Sequence, residues 1–242
     1  LYFITVIVSL FTEVPSPALV PALGFQLTVV GIWLGAILLL AESLHRYASV
    51  DFEITRKIVH IGTGNAILLA WWLQIPACAG IGAAVLSSAV ALLSYRFPIL
   101  PGINSVGRQS FGTFFYAVSI GVLIAWFWPL QQPQYAAIGI LVMTWGDGLA
   151  ALIGQRLGRH RYEFWGSKKS WEGSLTMALV SFAVCCSILL VVQGNVSATW
   201  QVPVAVAFVA TGLEAFSLFG IDNLTVPLGS AAVAFFLNQF LL

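Results

Sequence analysis

The chain has 242 residues, 60% of them apolar and only 8% charged, where an average soluble domain carries about 25% charged residues. Water is therefore not its main solvent, and no nucleic-acid partner is expected of a chain of net charge +1. Crossing a hydrocarbon core of about 30 Å takes roughly 17 to 25 apolar residues, and stretches of that length recur along the whole chain.

Eight spans are predicted, in order Ala18 to Ala41, Lys57 to Ile75, Ala77 to Tyr95, Gly112 to Trp128, Tyr135 to Ile153, Gly173 to Gln193, Trp200 to Phe219 and Leu224 to Leu242. Leu1 to Phe11 is too short to span alone and the chain does not begin with Met, which leaves room for a processed upstream part and a ninth, N-terminal helix. Runs of this length, without strand alternation or hairpin-spaced turn signals, favour helices over a membrane barrel. The expected fold is an all-α, polytopic transmembrane bundle forming a single integral membrane domain over residues 1–242, with no internal repeat.

Orientation follows from the cations, because Lys and Arg in short loops stay on the cytoplasmic side. Arg46, Arg56 and Lys57 lie between the first and second spans, and Arg96 and Arg108 between the third and fourth. Arg156, Arg159, Arg161, Lys168 and Lys169 follow the fifth. The alternate connections, around Pro76, from Pro129 to Gln134 and from Gly194 to Thr199, contain neither Lys nor Arg. Trp71, Trp72, Trp126, Trp128 and Trp200 fall near those uncharged ends, as an aromatic belt at the outer interface would. Cys78, Cys185 and Cys186 show no metal-ligand spacing and read as small apolar packing.

A carboxylate near the centre of a membrane helix costs about 2.5 to 3.5 kcal/mol on insertion scales, so the few present ask for a reason. Asp147 lies in the fifth span and Glu214 in the cytoplasmic half of the seventh. A hydrated interfacial acid or a packing ion pair is the plain alternative for each. Gly146, Ala150, Gly154 and Gly158 form a small-residue stripe that lets another backbone approach closely. The loop that follows reads Gly166, Ser167, Lys168, Lys169, Ser170, Trp171, Glu172, Gly173, Ser174 and then turns apolar. A helix starting there would offer unpaired amides and a positive dipole end to a phosphate chain. It is not a Walker loop, because the glycine spacing and the strand context are missing.

At the start of the second span, Lys57, His60 and Gly64 share one helix face, next to Arg56. Arg108, Ser110, Gly112 and Thr113 open the fourth span, and Gly220 to Pro227, with Asp222 and Asn223, fill the last cytoplasmic connection. Three carboxylates, Asp147, Glu214 and Asp222, and a lysine-rich anion site are thus expected at one membrane face. Phosphoryl transfer needs that set: cations for the phosphates, carboxylates for Mg2+ and a group beside the attacking hydroxyl. A site embedded in the membrane implies a lipid acceptor.

With these residues assembled, the chain resembles the polyprenol kinase family, and most of all its phytol and farnesol kinase members. The resemblance covers roughly Arg56 to Pro227 and rests on five segments: Arg56, Lys57, His60 and Gly64; Arg108 to Thr113 with Tyr116; Gly146, Asp147, Ala150, Gly154 and Gly158; Lys168 to Ser174; and Glu214, Gly220, Asp222, Asn223 and Pro227. It implies transfer of a phosphoryl group from CTP to the hydroxyl of an isoprenoid alcohol, in a plasma or thylakoid membrane, with phytol the expected acceptor because dolichol kinases are generally longer.

On chemistry and resemblance together, Lys168, Lys169, Ser170 and the following helix start would hold the triphosphate, with Arg108, Gly154, Gly158, Glu172, Gly173 and Ser174 also on the nucleotide side. Asp147 and Asp222 would bind Mg2+, helped by Asn223. Lys57 or Arg56 would stabilise the transferring phosphoryl group, and His60 or Glu214 would orient the alcohol. Two other readings compete. A CTP-using lipid cytidylyltransferase would show a closely set run of Asp, Arg, Lys and Asp that the C-terminal part lacks. A transporter would show inverted repeats and polar groups at the midplane.

Overall fold

The computed structural model describes residues 20–47, 50–96, 111–164 and 167–242. Leu1 to Phe11, Arg108, Ser110 and Gly166 therefore lie outside the described residues. The elements in chain order are α1 (Val20–Tyr47), α2 (Phe52–Gly64), α3 (Ala66–Trp72), α4 (Ala77–Arg96), α5 (Gly112–Phe127), α6 (Pro133–Leu157), β1 (Arg161–Phe164), β2 (Ser167–Ser170), α7 (Trp171–Gln193), α8 (Ser197–Ala215) and α9 (Asp222–Leu241). Each of the eight expected spans contains helix among the described residues, and α1, α4, α6, α7 and α9 are long and apolar enough to cross a membrane. The protein is an all-α membrane bundle with one small hairpin.

The bundle is built around α6. Pro133 opens it, supplying a fixed φ where its missing N–H is not needed. Tyr135 to Thr144 are buried without a break, as a helix apolar on every side must be. α7, α9, α5, α2 and α3 pack against it, α8 bridges α7 and α9, and α4 and α1 lie outside on α5 and on α2 and α3.

Small residues set the closest approaches. A methyl group at Gly139 would meet the Pro227 carbonyl of α9, and one at Gly146 would meet Met177 of α7. A methyl group at Gly154 would come within 2.9 Å of Ser170 Oγ, and one at Gly158 would strike Ser170 as well. The stripe anticipated from spacing is thus the seam along which α6 receives the hairpin and the start of α7.

Two features depart from the expected run of plain helices. The second span is broken at Asn65, which ends α2 and begins α3. The interrupted backbone is served by indoles: Trp33 Nε1 donates to the Gly62 carbonyl at 2.8 Å, and Trp145 Nε1 donates to Asn65 Oδ1 at 2.9 Å. The second departure is β1 and β2, which pair antiparallel with Tyr162 opposite Lys169 and Glu163 opposite Lys168. The short alternation of Arg161, Tyr162, Glu163 and Phe164, with Gly166 between the strands, is its sequence signal.

The nine Lys and Arg among the described residues all belong to one end of the bundle, at the close of α1, α4 and α6, the start of α2, and the hairpin. The opposite end is tied by neutral groups. Asn238 donates to Tyr135 Oη at 2.8 Å and to Gln193 Oε1 at 2.9 Å, and Gln193 reaches Thr199. Trp128 Nε1 donates to the Ile75 carbonyl.

Candidate active site

The cationic end is assembled from four helix termini and the hairpin. Asp51 caps α2, its side chain accepting the Glu53 N–H at 2.9 Å. The face of α2 set by that start turns Lys57 inward, where it is 6% exposed. Lys57 Nζ donates to Asp147 Oδ2 of α6 at 2.6 Å. Removing both charges from water is costly, and this contact repays that cost only because it is short and hydrogen-bonded. Gly64 and Gly148 admit the close packing that holds the pair, Gly64 against Thr144 and Gly148 against Ile61.

His60 lies one turn beyond Lys57. Its Nε2 is buried, has no hydrogen-bond partner among the described residues, and sits 3.8 Å from the same Asp147 oxygen. Tyr116 of α5 holds the ring in place: the two ring centroids are 4.8 Å apart, and the Tyr116 hydroxyl donates to the His60 carbonyl at 3.2 Å. Arg56, on the exposed side of α2, is paired with Glu53.

The hairpin resolves the two lysines. Successive residues of a strand point to opposite faces, and Lys168 is exposed while Lys169 turns inward to an ion pair with Glu214 at the end of α8. Burial works against the Lys169 charge, but Glu214, Asp222 and Asp147 outweigh it and raise its pKa above the ordinary lysine value. The twin ammonium groups expected to act side by side are thus divided between two faces.

Ser170 is the N-cap of α7, its Oγ accepting the Gly173 N–H at 3.1 Å. The Trp171 N–H donates to the His160 carbonyl. Two amides of the expected phosphate-binding helix start are therefore already engaged. Ser174 shares a 2.7 Å hydrogen bond with the Tyr162 hydroxyl, and Glu172 accepts the N–H groups of Arg159 and His160. Gly154, Gly158 and Gly173 meet protein atoms around Ser170. These residues position the hairpin over α6.

Asp222 begins α9 after a turn in which Phe219 and Gly220 take φ of 55° and 84°, a left-handed backbone that glycine adopts at little cost. The Phe219 carbonyl accepts the Phe111 N–H, tying this turn to the start of α5. Ser217, buried and missed in the sequence, accepts the Asp222 N–H at 3.3 Å. Asn223 donates to Asp222 Oδ1 from its backbone N–H at 3.0 Å and from its side-chain amide at 3.2 Å, so it orients that carboxylate.

These groups share one electrostatic field. Asp147 interacts with Lys57, His60 and Lys169, Asp222 with Asp147 and Lys169, Glu214 with Asp147 and Asp222, and Arg56 with Asp147 and Asp222. Among the described residues, no three His, Cys, Asp or Glu side chains form a metal cage. Mg2+ does not require one, since it is commonly held by one or two carboxylates plus substrate phosphates. Asp222 fits that pattern on its own: it feels the charge of Asp147, and no cation among the described residues is within ion-pair distance of it, whereas Asp147 is already paired with Lys57.

No family model matches the chain, and no solved structure matches it. Curated proteins do. A phytol kinase of Synechocystis is 53% identical over 222 residues, which are 92% of this chain and 95% of that protein. Phytol kinase 1, chloroplastic, of Arabidopsis thaliana is 27% identical over 83% of this chain and 71% of its own length. A probable phytol kinase, chloroplastic, of Triticum aestivum is 28% identical over 81% and 71%. Identity at more than half the aligned positions, across nearly the whole of both chains, makes this protein a member of the phytol kinase family.

Proposed function

We propose that the protein transfers the terminal phosphoryl group of CTP to the hydroxyl of an isoprenoid alcohol, phytol first among them, giving the alcohol monophosphate and CDP. The observation that carries this reading is the buried Lys57–Asp147 pair with His60 Nε2 beside it, unpartnered among the described residues, and with Lys169, Glu214 and Asp222 near enough to feel the Asp147 charge, at one end of a membrane bundle. The 53% identity to a phytol kinase supplies the acceptor class.

In this reading Lys57 and Lys169 neutralise charge on the nucleotide phosphates, as fixed cations do in phosphoryl transfer. His60 Nε2 receives the acceptor hydroxyl, which places the attacking oxygen beside Asp147. As the new O–P bond forms and the bond to CDP breaks, the hydroxyl proton passes to His60 Nε2. Asp147 and Asp222 are the residues that would hold Mg2+, which would supply further positive charge at the phosphates. Asn223 and Ser217 keep Asp222 in place, and Ser170, Gly154 and Gly158 seat the hairpin that carries Lys169.

The basic end would face the cytoplasm or its plastid equivalent, in a plasma or thylakoid membrane, because Lys and Arg mark the retained side. Purified protein in detergent, given labelled CTP, Mg2+ and a panel of phytol, farnesol, geranylgeraniol, dolichol and diacylglycerol, tests the reading. An isoprenoid alcohol that gains one phosphate supports it. A CDP-linked lipid, or no transfer to any alcohol, overturns it.

A further inference from the structure

His60 lacks the device that ordinarily aims an imidazole. A histidine that handles protons is commonly oriented by a hydrogen bond to its second ring nitrogen, which also selects the tautomer. Among the described residues, neither Nε2 nor Nδ1 of His60 makes a hydrogen bond. Asp147 Oδ2, 3.8 Å from Nε2, attracts the ring but lies beyond hydrogen-bond reach. The torsion that turns an imidazole about its bond to Cβ is broad and roughly two-fold, so attraction by one charge leaves the ring plane open.

Tyr116 supplies the missing constraint. Its ring lies against the imidazole, with centroids 4.8 Å apart and planes inclined at 39°. Its hydroxyl donates to the backbone carbonyl of that same His60 at 3.2 Å, and Thr63 Oγ1 lies 3.2 Å from the hydroxyl as well. Thr63 is in turn bonded to the Val59 carbonyl at 2.8 Å. The phenol is thus fastened at its far end to the backbone of α2, which keeps its ring on the imidazole. α5, which carries Tyr116, packs on α6 and α9, the helices of Asp147 and Asp222. The imidazole is therefore set in a frame shared with both carboxylates.

We propose that Tyr116 is the positioning residue for His60: its ring, in place of a hydrogen bond to the second nitrogen, holds the orientation in which Nε2 is turned to Asp147 and receives the acceptor hydroxyl. The inference deepens the kinase reading and rests on it for what His60 does, though not for how the ring is held.

Turnover of CTP and phytol tests the first half. Tyr116→Leu is expected to lower kcat about 10²-fold, the usual effect of a reacting group displaced by about 1 Å, with KM for CTP unchanged because Lys57 and Lys169 are untouched. Tyr116→Phe, which keeps the ring and loses one neutral hydrogen bond, recovers most of that loss. In a His60→Gln background Tyr116→Leu has no further effect, since residues that act through one group are not additive. A rise in KM for CTP at constant kcat, equal losses in the Leu and Phe variants, or the same loss with and without His60 overturns the assignment.

A second measurement does not depend on catalysis. The chain has three histidines, His45, His60 and His160, so the imidazole Cε1–H signals of histidine-labelled protein are few, and His60→Gln identifies the one that belongs to His60. That signal is expected to be displaced by the ring current of the phenol, to keep its displacement in Tyr116→Phe, and to lose it in Tyr116→Leu. Tyr116→Met repeats the comparison if the Leu variant folds poorly. A His60 signal that neither aliphatic replacement moves overturns the proposal. If the wild type phosphorylates no alcohol, the kinase reading fails, while the imidazole signal still decides whether Tyr116 holds His60.

Discussion

The Lys57–Asp147 pair offers a cycle that separates stability from chemistry. At 2.6 Å and an effective dielectric constant of about 20, the gross attraction is about 6 kcal/mol, most of it offset by desolvation. Lys57→Met leaves the Asp147 carboxylate buried without its cation, and breaking a buried pair on one side costs about 3–5 kcal/mol. Asp147→Asn strands the ammonium with a similar penalty. The double variant removes both charges, and its stability is expected to return to within about 1 kcal/mol of the wild type, since neutral replacement of a buried pair is often tolerated. Unfolding midpoints in detergent, with thiol labelling of buried Cys185 as the probe, measure the first quantity, and labelled-CTP turnover measures the second. The expected pattern is two destabilised single variants and a stable double variant that is inactive. A single variant as stable as the wild type shows that the pair does not bury charge as described. A double variant that recovers turnover shows that the two residues only pack.

The two lysines of β2 should behave differently. Lys169→Ala is expected to lower turnover by about 10²–10³-fold, the usual effect of losing one fixed charge-stabilising donor. Lys168→Ala, at an exposed position, should stay within about 0.5 kcal/mol of wild-type stability. Equal losses of turnover in the two would refute the division of the hairpin faces. Gly158→Leu places atoms against Ser170, an overpacking of about 1–3 kcal/mol, and should lower turnover by displacing Lys169. Normal turnover and an unchanged unfolding midpoint would exclude that seam. Because the folded pKa of Lys169 is raised, its stabilisation is fully present below the unfolded lysine value of about 10.4 and is lost as pH rises through the higher folded value. The stability difference between wild type and Lys169→Met should therefore be constant from pH 7 to about 10 and shrink above that. A difference that fades below pH 9 would contradict the ion pair with Glu214.

The apolar helices, five of them long enough to cross a membrane, the gathering of cations at one end and the approach of Asp147, Glu214 and Asp222 to that end were all legible in the sequence. Hydrocarbon penalises each charged or unbonded group separately, so the position of every Lys, Arg, Asp and Glu along the chain already carries the information. The seam of Gly146, Gly154 and Gly158 was legible for a related reason, since a missing side chain marks a close approach whatever the partner is. The hairpin was not, because four-residue strands that cap a membrane bundle carry too little alternation to stand out.

The pairings also had to wait for the tertiary structure. That Lys57 meets Asp147 and Lys169 meets Glu214, that Lys168 faces away, and that Asn65 breaks the second span onto two indoles all depend on how each helix is rotated about its axis. Rotation is set by packing between residues far apart in the chain, such as Gly64 on Thr144 and Gly139 on Pro227. Composition and spacing determined which groups could not stay in lipid. Only the close fit of α2, α6, α7, α8 and α9 decided which of those groups would find one another.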